Sequence, residues 1–195
     1  MTDAPLILAF DTSGPHVTAA LLAGEDILTQ RSEEMPRGQA ERLLPLLEEV
    51  LAEAGKTFTD LTRIAVGTGP GNFTGIRISV AAARGLAMAL DIPAIGVSLL
   101  DTTQFLSHWS PVAMPAPRGQ FYLMDFDKMR EPVLIERLPN FAVALSTEHT
   151  PAQHVAMMAR LAAIRTPGTA PAPLYVKPAD AAPSKDAPPV ILDDA

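Results

Sequence analysis

The run Gly67-Thr68-Gly69-Pro70-Gly71-Asn72-Phe73-Thr74-Gly75-Ile76-Arg77-Ile78 constrains this chain more than any other stretch. Four glycines and a proline fall within positions 67–75, and such a run continues neither a strand nor a helix. It follows the apolar, β-like Arg63-Ile64-Ala65-Val66 and precedes a long proline-free segment. The pattern predicts a sharp strand-to-helix turn whose backbone approaches another group closely. Thr74, or Asn72 just before it, is placed to cap the helix. N–H groups at such a helix start offer an anion site. The Lys-Ser/Thr ending of a phosphate-binding P-loop does not follow, so that motif is rejected.

The N-terminus supplies the partner for this turn. Leu6-Ile7-Leu8-Ala9-Phe10 is an apolar strand that ends in Asp11-Thr12-Ser13. Gly14-Pro15 turns the chain into a second strand, Val17 to Ala23, and Gly24-Glu25-Asp26 into a third, Ile27 to Glu33. This is a β-meander closed by turn residues. A helix over Gln39–Ala54 follows from the recurrence of Ala40, Leu43, Leu44, Leu47, Val50, Leu51 and Ala54. Pro45 costs it one hydrogen bond or bends it, and Gly55 ends it. A second helix is expected over about Thr74–Leu90, then a short strand, Ala94–Val97, and a helix capped by Ser98. Beyond residue 100 the character changes, because thirteen of the nineteen prolines lie there. Strands are expected at Gln120–Met124 and Val133–Ile135, and a helix over His154–Ile164. From Thr166 the Pro/Ala-rich chain reads as a tail along the surface. The expected division is a compact N-terminal lobe, residues 1–100, and a reduced second lobe, residues 101–195.

Composition excludes several classes. A net charge of −7 with no basic run argues against this chain gripping a polyanion by itself. Cysteine is absent, which removes disulfides, thiol nucleophiles and cysteine metal sites. No leader-like segment is read at the N-terminus, and no stretch approaches the ~20 apolar residues of a membrane span. A cytoplasmic location is the expectation.

An acidic residue at the tip of a first strand, followed by a hairpin, resembles the opening of the actin-like ATPase and sugar-kinase fold. Five segments in order are similar to the bacterial TsaB (YeaZ) family: Phe10-Asp11-Thr12-Ser13, Leu43-Leu44-Pro45, Gly69 to Arg77, Gly85-Leu86-Ala87 and Ile92 to Ser98. The resemblance is dense from Leu6 to about Leu100. It thins to Pro117–Tyr122 and Pro173–Ala181. It implies an actin-like (ASKHA, ribonuclease H-like) α/β fold: a mixed sheet with flanking helices in two lobes, the second reduced. It also implies a scaffold subunit, not itself a catalyst, for synthesis of N6-threonylcarbamoyladenosine on tRNA. Such a subunit would bind a catalytic TsaD-type paralogue, with a TsaE-type ATPase in the same assembly and no cofactor of its own. A homodimer through the same helices is a further expectation, with tRNA reached only through the complex.

The residues leave rival readings open. The 74–90 helix has small side chains on every face, with Arg77 and Arg84 on one side. Burial inside one chain and burial against a partner are equal alternatives. The partner reading selects Leu43, Leu47, Ile76, Val80, Ala83 and Arg84 as contacts, with Ala83→Glu expected to abolish binding and spare the fold. Asp11, Thr12, Ser13, Gly69 and Gly71 form a vestigial nucleotide site in one reading. In the favoured one, Asp11 caps the hairpin by accepting N–H bonds from Ser13 or Gly14. An active ATPase, a phosphotransferase and a glycoprotease-like peptidase remain the enzymatic alternatives, although Asp125 and Asp127 stand beside no second glycine loop. No His-x-x-x-His pair occurs: His149 and His154 are separated by Pro151, while His16 and His108 read as packed or solvated. Arg118 is expected to open a strand as a paired arginine.

Overall fold

In the computed structural model, residues 5–176 are described. The first three strands, β1 (Leu6–Asp11), β2 (His16–Ala23) and β3 (Asp26–Glu34), form the expected antiparallel meander. Helix α1 (Gln39–Glu53), strand β4 (Arg63–Gly67), helix α2 (Phe73–Leu90) and strand β5 (Ala94–Val97) complete a five-stranded sheet in the order β3-β2-β1-β4-β5. β4 runs parallel to both β1 and β5. This antiparallel meander joined to parallel crossovers is the mixed sheet of the actin-like, ribonuclease H-like fold.

β1 is the central strand and is buried along its whole length. Its side chains alternate between two cores, as the period of a strand requires. Leu6, Leu8 and Phe10 meet Leu43, Leu46, Leu47 and Val50 of α1 and Ile76, Val80 and Ala83 of α2. Ile7 and Ala9 face the other way, toward Val155, Met158, Ala159 and Ala162. Those four residues belong to α4 (Pro151–Ile164), which begins at a Thr150–Gln153 capping box with Pro151 in its first turn. The helix that closes the second face of the N-terminal sheet therefore comes from the C-terminal half.

A second sheet, ordered β8-β7-β6-β9, is built from β6 (Val112–Pro115), β7 (Phe121–Met124), β8 (Val133–Ile135) and β9 (Ala144–Leu145). Helix α3 (Leu99–Ser107) links the two sheets and starts at a Ser98–Asp101 capping box. The core under this sheet is small: Leu100, Val112, Met124 and Ala144, with Met114, Phe126 and Met129 around them.

Local signals in the sequence act as expected in most places. Asn72 is the cap of α2, its side chain accepting the Gly75 N–H at 2.9 Å. Gly55, at φ +63°, ends α1. Pro45 stays inside α1 on an exposed position, so its missing N–H costs one bond without ending the helix. Arg118 differs from expectation. It lies in a tight turn, Pro117–Gly119, at φ 62°, and the strand opens three residues later at Phe121. α2 also comes closer to a membrane-crossing segment than the composition suggested: 18 residues of mean hydropathy 1.3. Its buried side lies against β4 and α1, as in the core helix of a globular lobe.

After α4 the chain returns across the first sheet. Arg63 Nη1 closes the end of α4 by donating to the carbonyls of Ala162 at 2.9 Å and Arg165 at 3.0 Å. Arg165 pairs with Asp101 at 3.0 Å. The tail then passes Gly96, where an added Cβ would meet Pro171 at 3.3 Å. It bonds Leu174 N–H to Thr68 O at 2.8 Å. Tyr175 ends on α2, its hydroxyl accepting from Arg77 Nε at 2.9 Å. Residues 177–181 of the 173–181 segment lie outside the described residues.

Candidate functional site

The glycine-rich turn and the tip of β1 are locked together. A Cβ at Gly67 would stand 1.9 Å from Asp11 Oδ1, one at Gly75 2.0 Å from Thr12 O, and one at Gly71 2.5 Å from Ser13 O. The glycines serve close approach of chain to chain. Asn72 N–H donates to Ser13 O at 2.7 Å, and Thr12 Oγ1 donates to Gly75 O at 2.6 Å. Gly69, at φ +91°, presents its carbonyl to Leu99 N–H at 2.8 Å. The five residues read as a vestigial nucleotide site are thus neighbours, and hydrogen bonds within the chain join the turn to the strand tip.

Asp11 is buried, and its Oδ2 accepts from Ser13 N at 3.0 Å and from Ser13 Oγ at 2.7 Å, with His16 Nε2 at 3.3 Å. The N–H bond from Ser13 is the hairpin cap that the sequence favoured. Gln39, the first residue of α1, steadies the same hairpin by donating to Gly14 O at 2.6 Å and His16 O at 3.0 Å. Ser13 Oγ donates to a carboxylate rather than to an imidazole. That is not the nucleophile–base contact a serine hydrolase uses.

A cavity of about 250 Å³ opens beside Asp11. Its walls come from the β1–β2 hairpin, from Met114 and Pro115 of β6, and from Ser146, His149, His154 and Met158 around the start of α4. His154 is buried and joins three segments: its Nε2 meets Ser146 O at 2.9 Å and its Nδ1 meets Thr102 Oγ1 at 2.7 Å. A carbonyl only accepts, so Nε2 carries the proton, while the Thr102 hydroxyl, also 2.9 Å from Leu99 O, has one proton to share between that carbonyl and Nδ1. Burial pushes its pKa below the ordinary histidine value, against the opposing pull of the Ser146 carbonyl. His149 lies edge-on to it, the ring centres 5.8 Å apart. No sequence signal places His16, His149 and His154 around one cavity, because strand pairing and helix docking bring them together from distant parts of the chain. Among the described residues no cluster of His, Asp or Glu has the geometry of a metal site.

The outer side of α1 and α2 is the second surface of interest. Of the six residues selected as partner contacts, Leu43, Leu47, Ile76, Val80 and Ala83 are core residues of this chain, none more than 4% exposed. Only Arg84 faces outward. The correction is one of facing: the helical stripe that looked apolar enough for a partner is the one that packs on the sheet. The expectation that Ala83→Glu spares the fold falls with it, since Ala83 is fully buried and a carboxylate there would be unpaired. The faces left uncovered carry Leu44 at 47% exposure and Met88 at 83%, with Ala81, Arg84 and Gly85 beside Met88 on α2. At the start of α2, Arg77 stacks 3.9 Å over the ring of Phe73, which lies 5.2 Å from that of Tyr175. Behind this surface, Arg42 forks onto Glu33 of β3 at 2.6 Å and 2.8 Å and onto Glu49 at 2.7 Å. These bonds hold both glutamates below the usual carboxylate range.

The sheet order and the strand-tip carboxylate define an actin-like α/β protein. Sequence comparison narrows this: the family described as "TsaD: tRNA N6-adenosine threonylcarbamoyltransferase" matches residues 32–175. The chain belongs to that family, as a member of its TsaB (YeaZ) type. It is 40% identical over 96 residues to the tRNA threonylcarbamoyladenosine biosynthesis protein TsaB of Escherichia coli, covering 49% of this chain and 41% of that protein. The Bacillus subtilis TsaB is 35% identical over 120 residues, 60% of this chain and 52% of that protein. The chain thus spans about half the length of the curated relatives it matches. Among solved structures, YeaZ from Pseudomonas aeruginosa superposes with a TM-score of 0.64 at 28% identity, over 81% of this chain and 92% of that one. A second, described as an uncharacterized protein with similarity to peptidase YEAZ from Pseudomonas aeruginosa, superposes at 0.71 and shares the fold at 24% identity, over 89% of this chain and all of that one.

Proposed function

We propose that this chain acts in the cytoplasm as a non-catalytic subunit in the synthesis of N6-threonylcarbamoyladenosine on tRNA, binding a TsaD-type paralogue through the outer faces of α1 and α2. The observation that carries this reading is the uncovered face of α2, where Met88 is 83% exposed beside Gly85. A Cβ at Gly85 would meet nothing within 4 Å, so the glycine leaves room for close approach by another helix. An apolar side chain of that exposure, on a helix with small neighbours, fits the core of a protein interface. The names of the relatives supply the pathway, and the charge of −7 leaves the RNA surface to the partner. A TsaE-type ATPase joins the same assembly in this reading. A homodimer through the same two faces is the resting alternative in the partner's absence.

The catalytic alternatives draw less support. The hydrogen bonds that join the glycine turn to β1 occupy groups that a phosphate site would offer, and Ser13 has no imidazole partner. Co-expression with the TsaD-type protein of the same source, then size-exclusion chromatography and a tRNA-modification assay, tests the proposal. Joint elution and modification dependent on this chain are expected. Met88→Glu and Leu44→Glu, both on exposed positions, should abolish co-elution while leaving the melting temperature within a degree or two of the parent. Co-elution that survives both substitutions would remove this face from the interface.

A further inference from the structure

Tyr175 lies on the face of α2 that Met88 exposes. Phe73, Arg77, Ala81, Arg84 and Met88 follow one another at steps of three and four residues and are all exposed, so they form a single stripe. Arg77 and Arg84 are the only charged residues of the helix. Neither forms an ion pair among the described residues. The tail runs alongside the stripe in the opposite direction. Gly168, Ala170 and Pro171 line a groove of about 580 Å³ with Arg84, Gly85 and Met88, and Tyr175 reaches the start of the helix.

Arg77 is held where tail and helix meet. Its guanidinium lies 3.9 Å over the Phe73 ring, and its Nε donates to the Tyr175 hydroxyl at 2.9 Å. The Tyr175 ring packs on Phe73 at 5.2 Å, and Leu174 N–H fixes the tail on Thr68 O at 2.8 Å. Stacking uses the face of the guanidinium and Tyr175 uses one N–H. The N–H groups of Nη1 and Nη2 are left without an acceptor among the described residues. They form a planar fork matched to the two oxygens of a carboxylate or a phosphate. A long exposed side chain loses rotamer freedom when a partner immobilises it; this one is fixed in advance.

Charge decides between the two oxyanions. Gripping RNA takes clustered Lys and Arg, whereas this stripe has two cations on a chain of net charge −7. A carboxylate on an otherwise apolar protein surface suits the whole stripe, with the apolar part against Met88 and the open position of Gly85 and the acid on Arg77. We propose that the partner lays an apolar helix with an acidic side chain along α2, that this carboxylate takes the two Nη groups of Arg77, and that Tyr175 positions the guanidinium for it. The inference rests on the assembly reading and deepens it, since the tail becomes part of the docking surface.

The test measures the affinity of the full chain for the TsaD-type protein by titration calorimetry, at about 50 and about 300 mM salt. Arg77→Ala is expected to weaken binding about tenfold or more at low salt and to flatten its salt dependence, which Leu44→Ala should leave unchanged. Arg77→Lys keeps the charge without the fork and should recover only part of the loss. Tyr175→Phe keeps the ring and removes the hydroxyl. It should cost about threefold to fivefold in the parent and nothing in Arg77→Ala, as coupling through Arg77 requires. One of the partner's exposed acidic residues, changed to arginine, should restore binding to Arg77→Glu. Arg77→Ala binding within about twofold of the parent at both salts overturns the proposal and leaves the assembly reading standing. So does an equal effect of Tyr175→Phe with and without Arg77, which would make the tyrosine a tail anchor only. Binding of tRNA by the chain alone, lost in Arg77→Ala, would assign the fork to phosphate. Self-association lost in Arg77→Ala, with the TsaD-type protein still bound as by the parent, would assign it to a second copy. Either result overturns the proposal. A parent chain that does not bind the TsaD-type protein overturns the assembly reading and this inference together.

Discussion

The two sheets are held by very different means. The first has a core on each face, and its central strand contributes to both. The second has one thin core, anchored by Leu100 and Val112, and strands of two to four residues. Short strands with little apolar area beneath them cannot offset their own ordering entropy. The second sheet therefore depends on the first, through α3 and α4, for its place in the molecule. The first depends in turn on α4 for one of its faces.

Cutting the same side chain in each region should expose this inequality. Leu47→Ala, in the large core, is expected to cost about 2–5 kcal/mol and to lower the stability of the whole molecule. Leu100→Ala removes a similar side chain from the small core, and its effect should be local. Amide exchange should speed up in β7 and β8 while β1 keeps its protection. Equal loss of protection in β1 and β7 for both variants would show a single cooperative unit and end the comparison.

His154 sharpens the contrast, because it ties α4 to α3 and to the turn before α4. Its folded pKa lies below the ordinary 6.5, so the unfolded chain binds more protons in the window just under that value. Its contribution to stability is complete above pH 6.5, declines as the pH falls toward the folded pKa, and is lost below it. Denaturation midpoints measured between pH 8 and pH 5 should fall in this order, and His154→Leu should flatten that slope. A slope unchanged by the substitution would assign it to other groups.

The smallest effect concerns an open position. Gly85 lies inside α2 with free space where a Cβ would go. Gly85→Ala should therefore stabilise the chain by about 0.5–1 kcal/mol through helix propensity alone, read as a rise in melting temperature. A fall would mean that α2 is packed more closely there than its surface indicates.

Legibility follows the same division. In the first region, the apolar strand runs and their turn residues, Asn72, Gly55 and Ser98 all marked their elements, because each signal is local and agrees with the final fold. In the second, β9 has two residues and pairs in parallel with β6, and so short a strand leaves no periodicity to read. The interface was misplaced for another reason. Ala81 and Ala83 are chemically identical, and only the docking of α2 on the sheet makes one exposed and the other fully buried. On α1 spacing fails in the same way: Leu44 lies seven residues before Leu51 at nearly the same helical angle, yet it is 47% exposed and Leu51 is buried. Leu46, fully buried beside Pro45, lies outside the recurrence read from the sequence. The cavity was illegible because its walls, from the β1–β2 hairpin, β6 and the start of α4, come together only after both halves have folded.

The late arrival of α4 has a consequence for the chain as it is made. Ribosomes release the meander, α1 and α2 first, and these can already cover one side of the sheet. Ile7, Ala9, Ala20, Leu22 and Ala65 on the other side must wait for a helix that begins at Pro151. During synthesis the nascent protein carries a bare apolar surface, a natural landing place for a chaperone, until that helix emerges.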